Sequence, residues 1–257
     1  MRALEGVKVL DLSWVIVGPM TSAYMVAHGA TVVRIESSRH PDVLRSAPPV
    51  RRPAEGPVGL NRSGYYAQYN PDKRSVALDL KHPKGRELLL RLAGWADVVL
   101  ENFTPGTLEE WGLGYDAFRQ ANPRLVMLST SMLGRFGPKS AQPGFGPVLT
   151  SLAGLTHVTG WPDRGPSPPY AAYTDFLVPS FALPLILAAL DYRDRTGQGV
   201  YLDLSQLEAA LCFVGPLLLD YTVNGREPER QGNRDPSCCP HGVYPCAGED
   251  RWIAIAC

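Results

Sequence analysis

Short apolar runs alternate with longer helical patterns from the first residues of the chain. Val7-Lys8-Val9-Leu10 reads as a strand, Asp11 to Pro19 as a turn, the stretch through Ala27 as a helix, and Thr31 to Ile35 as a second strand ending on Glu36. Arg74 to Leu80 alternates like a short strand, and Pro83 suits the first turn of a helix carrying Glu87 to Leu92. Asp97 to Leu100, Leu125 to Ser129 and Gly199 to Leu204 read as further strands, with helices over Tyr115 to Ala121 and Phe176 to Tyr192. Ser205 and Glu208 form a capping-box pattern for the helix that follows. Continuous apolar strands alternating with helices predict an α/β fold: a doubly wound parallel sheet covered on both faces, in a Rossmann-like large domain.

Two stretches break the alternation. Ser37 to Gly64 and residues 134–172 are rich in glycine and proline, and loops of that length are usually functional. Beyond Tyr221 the pattern changes again. The expected organisation is a large domain over 1–220, a linker over 221–240, and the start of a smaller domain over 241–257. That last part holds two strands, Gly242 to Pro245 and Arg251 to Ala256. An apolar strand reaching the last residue, Cys257, leaves an unpaired edge and suggests a C-terminally truncated chain.

Charge narrows the function. The 257 residues carry 25 Lys plus Arg and 25 Asp plus Glu, so no basic surplus points to a nucleic-acid partner. The N-terminus lacks a signal-peptide pattern, and the apolar stretch Phe176 to Leu190, interrupted by Pro179 and Pro184, is shorter than the ~20 residues of a membrane span. No membrane association is expected. Among the five cysteines, Cys238, Cys239 and Cys246 gather near His241, but adjacent cysteines before Pro240 do not match zinc spacing. Free thiols, no metal and a cytoplasmic location are the expectation.

In an open parallel sheet, ligands bind outside the carboxyl ends of the strands. That rule selects Trp14 to Val17, Glu36 to Arg39, Glu101 to Gly106 and Ser131 to Phe136. The candidate phosphate-binding cations are Arg39, Lys73, Arg74, Arg135 and Lys139. The turn after the first strand lacks the G-x-G-x-x-G that brings backbone against a pyrophosphate, so the ligand calls for a different cradle.

Five segments taken together carry a family resemblance: Leu4 to Asp11, Gly29 to Glu36, Asn70 to Ser75, Glu101 to Gly106, and Thr196 to Gly199. In matching order along the whole chain, they resemble the family III CoA-transferases, which include formyl-CoA transferase, the carnitine CoA-transferases and the 2-methylacyl-CoA racemases. The resemblance implies a large and a small domain and a homodimer of two interlocked rings. It implies coenzyme A held by Val15, Ile16 and Val17, by the stretch from Asn70 through Lys73 to Arg74, and by Asn102 and Phe103. It implies Asp175 as a nucleophile that takes CoA from an acyl-CoA and passes it to a carboxylic acid.

Asp175 stands between a glycine- and proline-rich loop and an apolar helix, near a helix N-terminus that favours an ionised carboxylate. Judged on local sequence alone, the same position suits an N-cap without catalytic duty. Three departures bear on substrate. Ile16 stands where family transferases often carry a polar side chain, Glu110 where they carry an arginine, and Phe145 where racemases carry a histidine. Phenylalanine cannot serve as a base, which weighs against a CoA-ester racemase. A non-catalytic CoA-binding subunit and a nicotinamide enzyme using Glu36 on a ribose are the remaining alternatives.

Overall fold

The first four of the six strands of the sheet end beside the candidate site. The structure is a computed structural model, and the residues it describes are 2–51, 53, 56, 59–170 and 172–257. Part of the loop expected over Ser37 to Gly64, at residues 52, 54, 55, 57 and 58, lies outside them. The elements run β1 (Lys8–Asp11), α1 (Val17–Ala27), β2 (Thr31–Glu36), α2 (Gly64–Tyr69), β3 (Arg74–Ala77) and α3 (Pro83–Trp95). Then come β4 (Val98–Glu101), α4 (Thr107–Glu110), α5 (Tyr115–Ala121), β5 (Val126–Ser131), α6 (Gly146–Leu152) and α7 (Leu155–Val158). The chain continues through α8 (Tyr173–Leu177), α9 (Pro179–Thr196), β6 (Val200–Ser205), α10 (Gln206–Phe213) and α11 (Gly215–Asn224) to β7 (His241–Pro245) and β8 (Trp252–Ala256).

The chain divides into two compact units: Met1–Gly144 with Thr174–Ala209, and Phe145–Tyr173 with Ala210–Cys257. This division differs from the expected one, since residues 145–173 group with the C-terminal part and not with the sheet.

The first unit holds an all-parallel sheet in the order β3-β2-β1-β4-β5-β6. Central strands β4 and β5 are buried throughout, while edge strand β3 is mostly exposed. That contrast is the physical origin of the continuous apolar runs in the sequence. One face packs Val9, Val98 and Val126 against Met25 of α1 and Ala182, Ile186 and Leu190 of α9. The other packs Leu10, Val99 and Met127 against Leu89 and Ala93 of α3 and Phe118 of α5. Strand order reverses between β1 and β4, so the crevice that ligands favour opens outside their carboxyl ends.

The apolar run expected as one helix over Phe176 to Tyr192 is two, α8 and α9, with Val178 between them and Pro179 at the first position of the second. Taken together, Tyr173–Thr196 is 24 residues long and apolar enough to cross a membrane, where the sequence reading expected too short a stretch. Part of that length is core: 44% of its most apolar window is buried, through residues such as Ala182 and Ile186. At Ser205 the expected cap is present, its Oγ accepting from the Glu208 amide at 3.3 Å.

In the second unit, α6, α7 and α11 accompany the antiparallel hairpin β7–β8. Gly232 donates to the Gly160 carbonyl at 2.9 Å, and Arg230 Nη1 donates to the His157 carbonyl at 2.9 Å. Many of the unit's large apolar side chains are exposed, among them Phe145, Leu219, Val223, Trp252 and Ile253.

Gly197 and Gly199 explain one of the sequence motifs. Gly197 ends α9 in the left-handed conformation (φ 76°), its amide bonded to the Arg193 carbonyl. At Gly199 a Cβ would overlap the backbone of Arg124 and Leu125 as the chain enters β6. Gly199→Ala is therefore expected to cost about 1–3 kcal/mol by forcing β6 away from β5. A denaturant melt measures this, and an unchanged midpoint would contradict the close approach.

Candidate active site

The turn after β1 is organised by a fully buried carboxylate. Asp11 Oδ1 accepts from the Ser13 amide at 2.9 Å and from the Ser13 hydroxyl. Its Oδ2 accepts from Ser22 Oγ of α1 at 2.6 Å and from Lys73 Nζ at 3.1 Å, and Arg34 Nη1 of β2 lies 3.7 Å away. Burial alone would raise the Asp11 carboxyl. Lys73, Arg34 and the two serine hydroxyls outweigh it and hold the group below the usual carboxylate range. Lys73 also donates to the Pro19 carbonyl at 2.8 Å and to Asn70 Oδ1 at 3.0 Å, and burial lowers it to about 8 despite its Asp11 partner.

Backbone accounting across the turn explains the missing glycines. The Ser13 amide is taken by Asp11, the Trp14 amide by Asn102 Oδ1 at 2.8 Å, and the Val15 amide by Asp42 Oδ2 at 3.2 Å. Asn102 Nδ2 donates back to the Trp14 carbonyl at 2.7 Å. These three amides are satisfied from within and are not offered to a pyrophosphate. Glu36, the candidate ribose acid, is likewise occupied: Arg45, Tyr66 Oη at 2.6 Å and Ser75 Oγ at 3.0 Å all converge on it.

A cleft of about 470 Å³ opens outside β1, β2, β3 and β4. Leu12, Trp14, Phe103 and Trp111 form an apolar wall, with Phe103 edge-on to Trp14 at 6.2 Å and to Trp111 at 5.7 Å between ring centroids. Ser37, Arg39, His40 and Pro41 form another side, and Leu78, Asp79, Leu80 and Lys81 a third. Arg39 Nη1 sits 3.1 Å from Asp79 Oδ2 with its side chain 77% exposed. The volume and the mix of rings with a few cations suit a small-molecule site.

The structure separates the candidates from sequence. Arg39 and Phe103 line this cleft, while Asn102 acts behind it by fixing Trp14. Ile16 and Val17 are each 3% exposed and do not line it; Ile16 packs with Leu44, Tyr69 and Val15. Asn70 donates to the Tyr66 carbonyl at 2.9 Å and accepts from Lys73. Lys73, 2% exposed, is taken up by Asp11 and is no free phosphate ligand. Arg135 is taken up as well, by Glu109 and by Glu101 at 3.8 Å, over the ring of Tyr201. Arg74 and Lys139 are exposed and outside the cleft. His40, Asp79 and Lys81 are titratable cleft residues that the sequence reading missed. Lys81 follows β3 as Arg39 follows β2, so the strand-end rule applied to β3 finds it.

Asp175 is a buried carboxylate of another kind. It lies inside the short helix α8, 6% exposed, and is not the cap of the longer helix. Among the described residues no hydrogen bond or ion pair meets its carboxylate, and burial pushes it up to about 7. A helix N-terminus offers about 0.3–1 kcal/mol to an anion, so desolvation wins here. The next residue, Phe176, packs its ring 6.5 Å from that of Tyr69, in the cluster that holds Ile16 and Leu44. Glu101, 2% exposed, is also pushed up to about 7 by burial, although it accepts from the Phe103 amide at 2.8 Å. Among the described residues no group of three or more His, Cys, Asp or Glu could hold a metal ion.

Comparison with known proteins identifies the family. The model of "CoA-transferase family III" matches residues 4–257. The chain is 35% identical over 254 residues to the succinyl-CoA–D-citramalate CoA-transferase of Chloroflexus aurantiacus, covering 99% of this chain and 61% of that protein. It is 31% identical to the succinyl-CoA:glutarate CoA-transferase of Mus musculus, covering 100% and 59%. A crystal structure of a CAIB/BAIF family protein from Brucella suis superposes with a TM-score of 0.90 at 30% identity, covering 100% of this chain and 66% of that one. The chain thus spans about three fifths of the length of these curated relatives. The match across nearly its whole length, on a sheet of the same architecture, places the chain in the family III CoA-transferases.

Proposed function

We propose that this chain carries the CoA cleft and the nucleophile of an acyl-CoA:carboxylate CoA-transferase. The observation that carries the reading is Asp175: a buried carboxylate without a partner among the described residues, on a segment that packs through Phe176 against the turn after β1. With its carboxyl near 7, about half the population is ionised at neutral pH, and the anion is poorly solvated and reactive. Its oxygen attacks the thioester carbonyl of an acyl-CoA; the C–S bond breaks, giving an acyl-aspartyl anhydride and CoA thiolate. The thiolate then attacks the aspartyl carbonyl, releasing the first carboxylic acid and leaving an aspartyl-CoA thioester. The acceptor carboxylate reverses both steps and leaves as the new acyl-CoA. No oxidant or metal enters the balance.

The cleft beside β1 and β4 is the proposed seat of the nucleotide end of CoA, its ring against Trp14 and Phe103 and its phosphates near Arg39 and Lys81. Relatives named for succinyl-CoA with citramalate or glutarate support small carboxylic acids as donor and acceptor. A homodimer in the complete protein fits the apolar side chains exposed on the second unit, since large exposed apolar patches mark interaction surfaces. Light scattering on purified protein checks it, and a monomer at micromolar concentration would contradict it.

Asp175→Asn is expected to lower CoA transfer by about 10³-fold or more while CoA still binds. The same variant tests burial. A carboxyl raised on folding binds a proton more tightly in the folded chain, so the wild type loses stability as pH rises from about 4 through about 7. Asn carries no such penalty, so the variant should melt higher than wild type at pH 8 and match it near pH 4. Full transfer activity in Asp175→Asn would overturn the assignment.

The cations separate by role. Arg39→Ala and Lys81→Ala are expected to weaken CoA binding about tenfold each, with stability within about 0.5 kcal/mol of wild type. Lys73→Ala takes the nearest cation from buried Asp11, which keeps Arg34 and two serine hydroxyls, and should cost about 1–3 kcal/mol. Calorimetric titration with CoA alongside denaturant melts reads both, and Lys73→Ala at wild-type stability would contradict the buried pairing.

A further inference from the structure

Val15 has φ 67°, a left-handed conformation that β-branched residues avoid. It marks a change of direction. Trp14, just before it, lines the cleft, and Ile16, just after it, is buried against Leu44 and Tyr69. Holding a valine there requires surrounding structure that over-determines it. That structure is Asp42. One oxygen, Oδ2, accepts from the Val15 amide at 3.2 Å and from Arg34 Nη2 at 2.5 Å; the other, Oδ1, accepts from the Leu44 amide at 2.9 Å. Arg34, 1% exposed, belongs to β2, and it faces Asp11 and Glu36 as well. The neighbours of Asp42 on both sides, Pro41 and Val43, themselves line the cleft.

We propose that Asp42 is a positioning residue for CoA: it latches the β1 turn to the segment after β2, fixing two walls of the cleft and holding Val15 in its left-handed conformation. The proposal rests on the reading of that cleft as the CoA site. Asp42 touches no ligand in this role. It acts through Val15 on the placement of Trp14, and Arg34 ties the latch to the sheet.

The test is calorimetric titration of CoA into wild type, Asp42→Ala, and Asp42→Ala combined with Val15→Gly, with a melting curve for each. Asp42→Ala should bind CoA about tenfold more weakly, because the turn relaxes from its strained conformation. Glycine adopts positive φ without strain, so adding Val15→Gly should restore most of that affinity. Melting temperature should stay depressed in the double variant, because Arg34 still lacks its closest carboxylate, Asp42. A merely structural Asp42 would move affinity and melting together, and glycine would rescue neither. If Asp42→Ala does not fold, Asp42→Asn with and without Val15→Gly carries the same comparison, with a smaller loss because an acceptor remains. Wild-type affinity in a folded Asp42→Ala, or no recovery in the double variant, overturns the latch. A wild type that binds no CoA overturns the cleft assignment itself, which separates the two failures.

Discussion

The Asp11 carboxylate, buried at the end of the first strand, is the interaction on which the rest depends. A bare charge there would be prohibitively costly, so its surroundings must be cationic and hydrogen-bonding. Lys73 is drawn in from the chain before β3, Arg34 from β2, Ser22 from α1 and Ser13 from the turn. Segments as far as 62 residues away in sequence are thereby fixed around one point. In the turn that results, the Ser13, Trp14 and Val15 amides are occupied by side chains, unlike the free amides of a glycine-rich loop. Rings and cations lie farther out, where Trp14, Phe103, Arg39 and Lys81 line the cleft.

Asp11 and Asp175 show the same functional group tuned in opposite directions. Both are buried. Cations and hydroxyls hold Asp11 low and ionised, while Asp175 meets no such partner among the described residues and burial raises it to about 7. A carboxylate compensated on every side is inert scaffold; one left uncompensated is available to react. Glu101 lies between these cases, raised to about 7 by burial yet bonded to the Phe103 amide and near Arg135.

The fold was largely legible because parallel strands buried on both faces leave continuous apolar runs, as at Val98 to Leu100 and Val126 to Leu128. The strand-end rule pointed to Trp14, Arg39 and Phe103, which line the cleft. It could not tell a free cation from a spent one: Lys73 and Arg135 looked like phosphate ligands, and their carboxylate partners, Asp11, Glu101 and Glu109, are reached only through the folded sheet. Asp42 was illegible too, since its partners Val15 and Arg34 lie 27 and 8 residues away and no local pattern links them. The grouping of residues 145–173 with the C-terminal part needed long-range contacts that a glycine- and proline-rich stretch does not announce.

The central claim, that Asp175 is the covalent centre, is tested most directly by mass spectrometry after incubation with an acyl-CoA and hydroxylamine. Hydroxylamine intercepts an acyl-aspartyl anhydride or an aspartyl thioester and leaves a hydroxamate on the attacked carboxyl. A hydroxamate confined to Asp175 and dependent on acyl-CoA is the expected result. Protein that turns over acyl-CoA while Asp175 stays unmodified would contradict it.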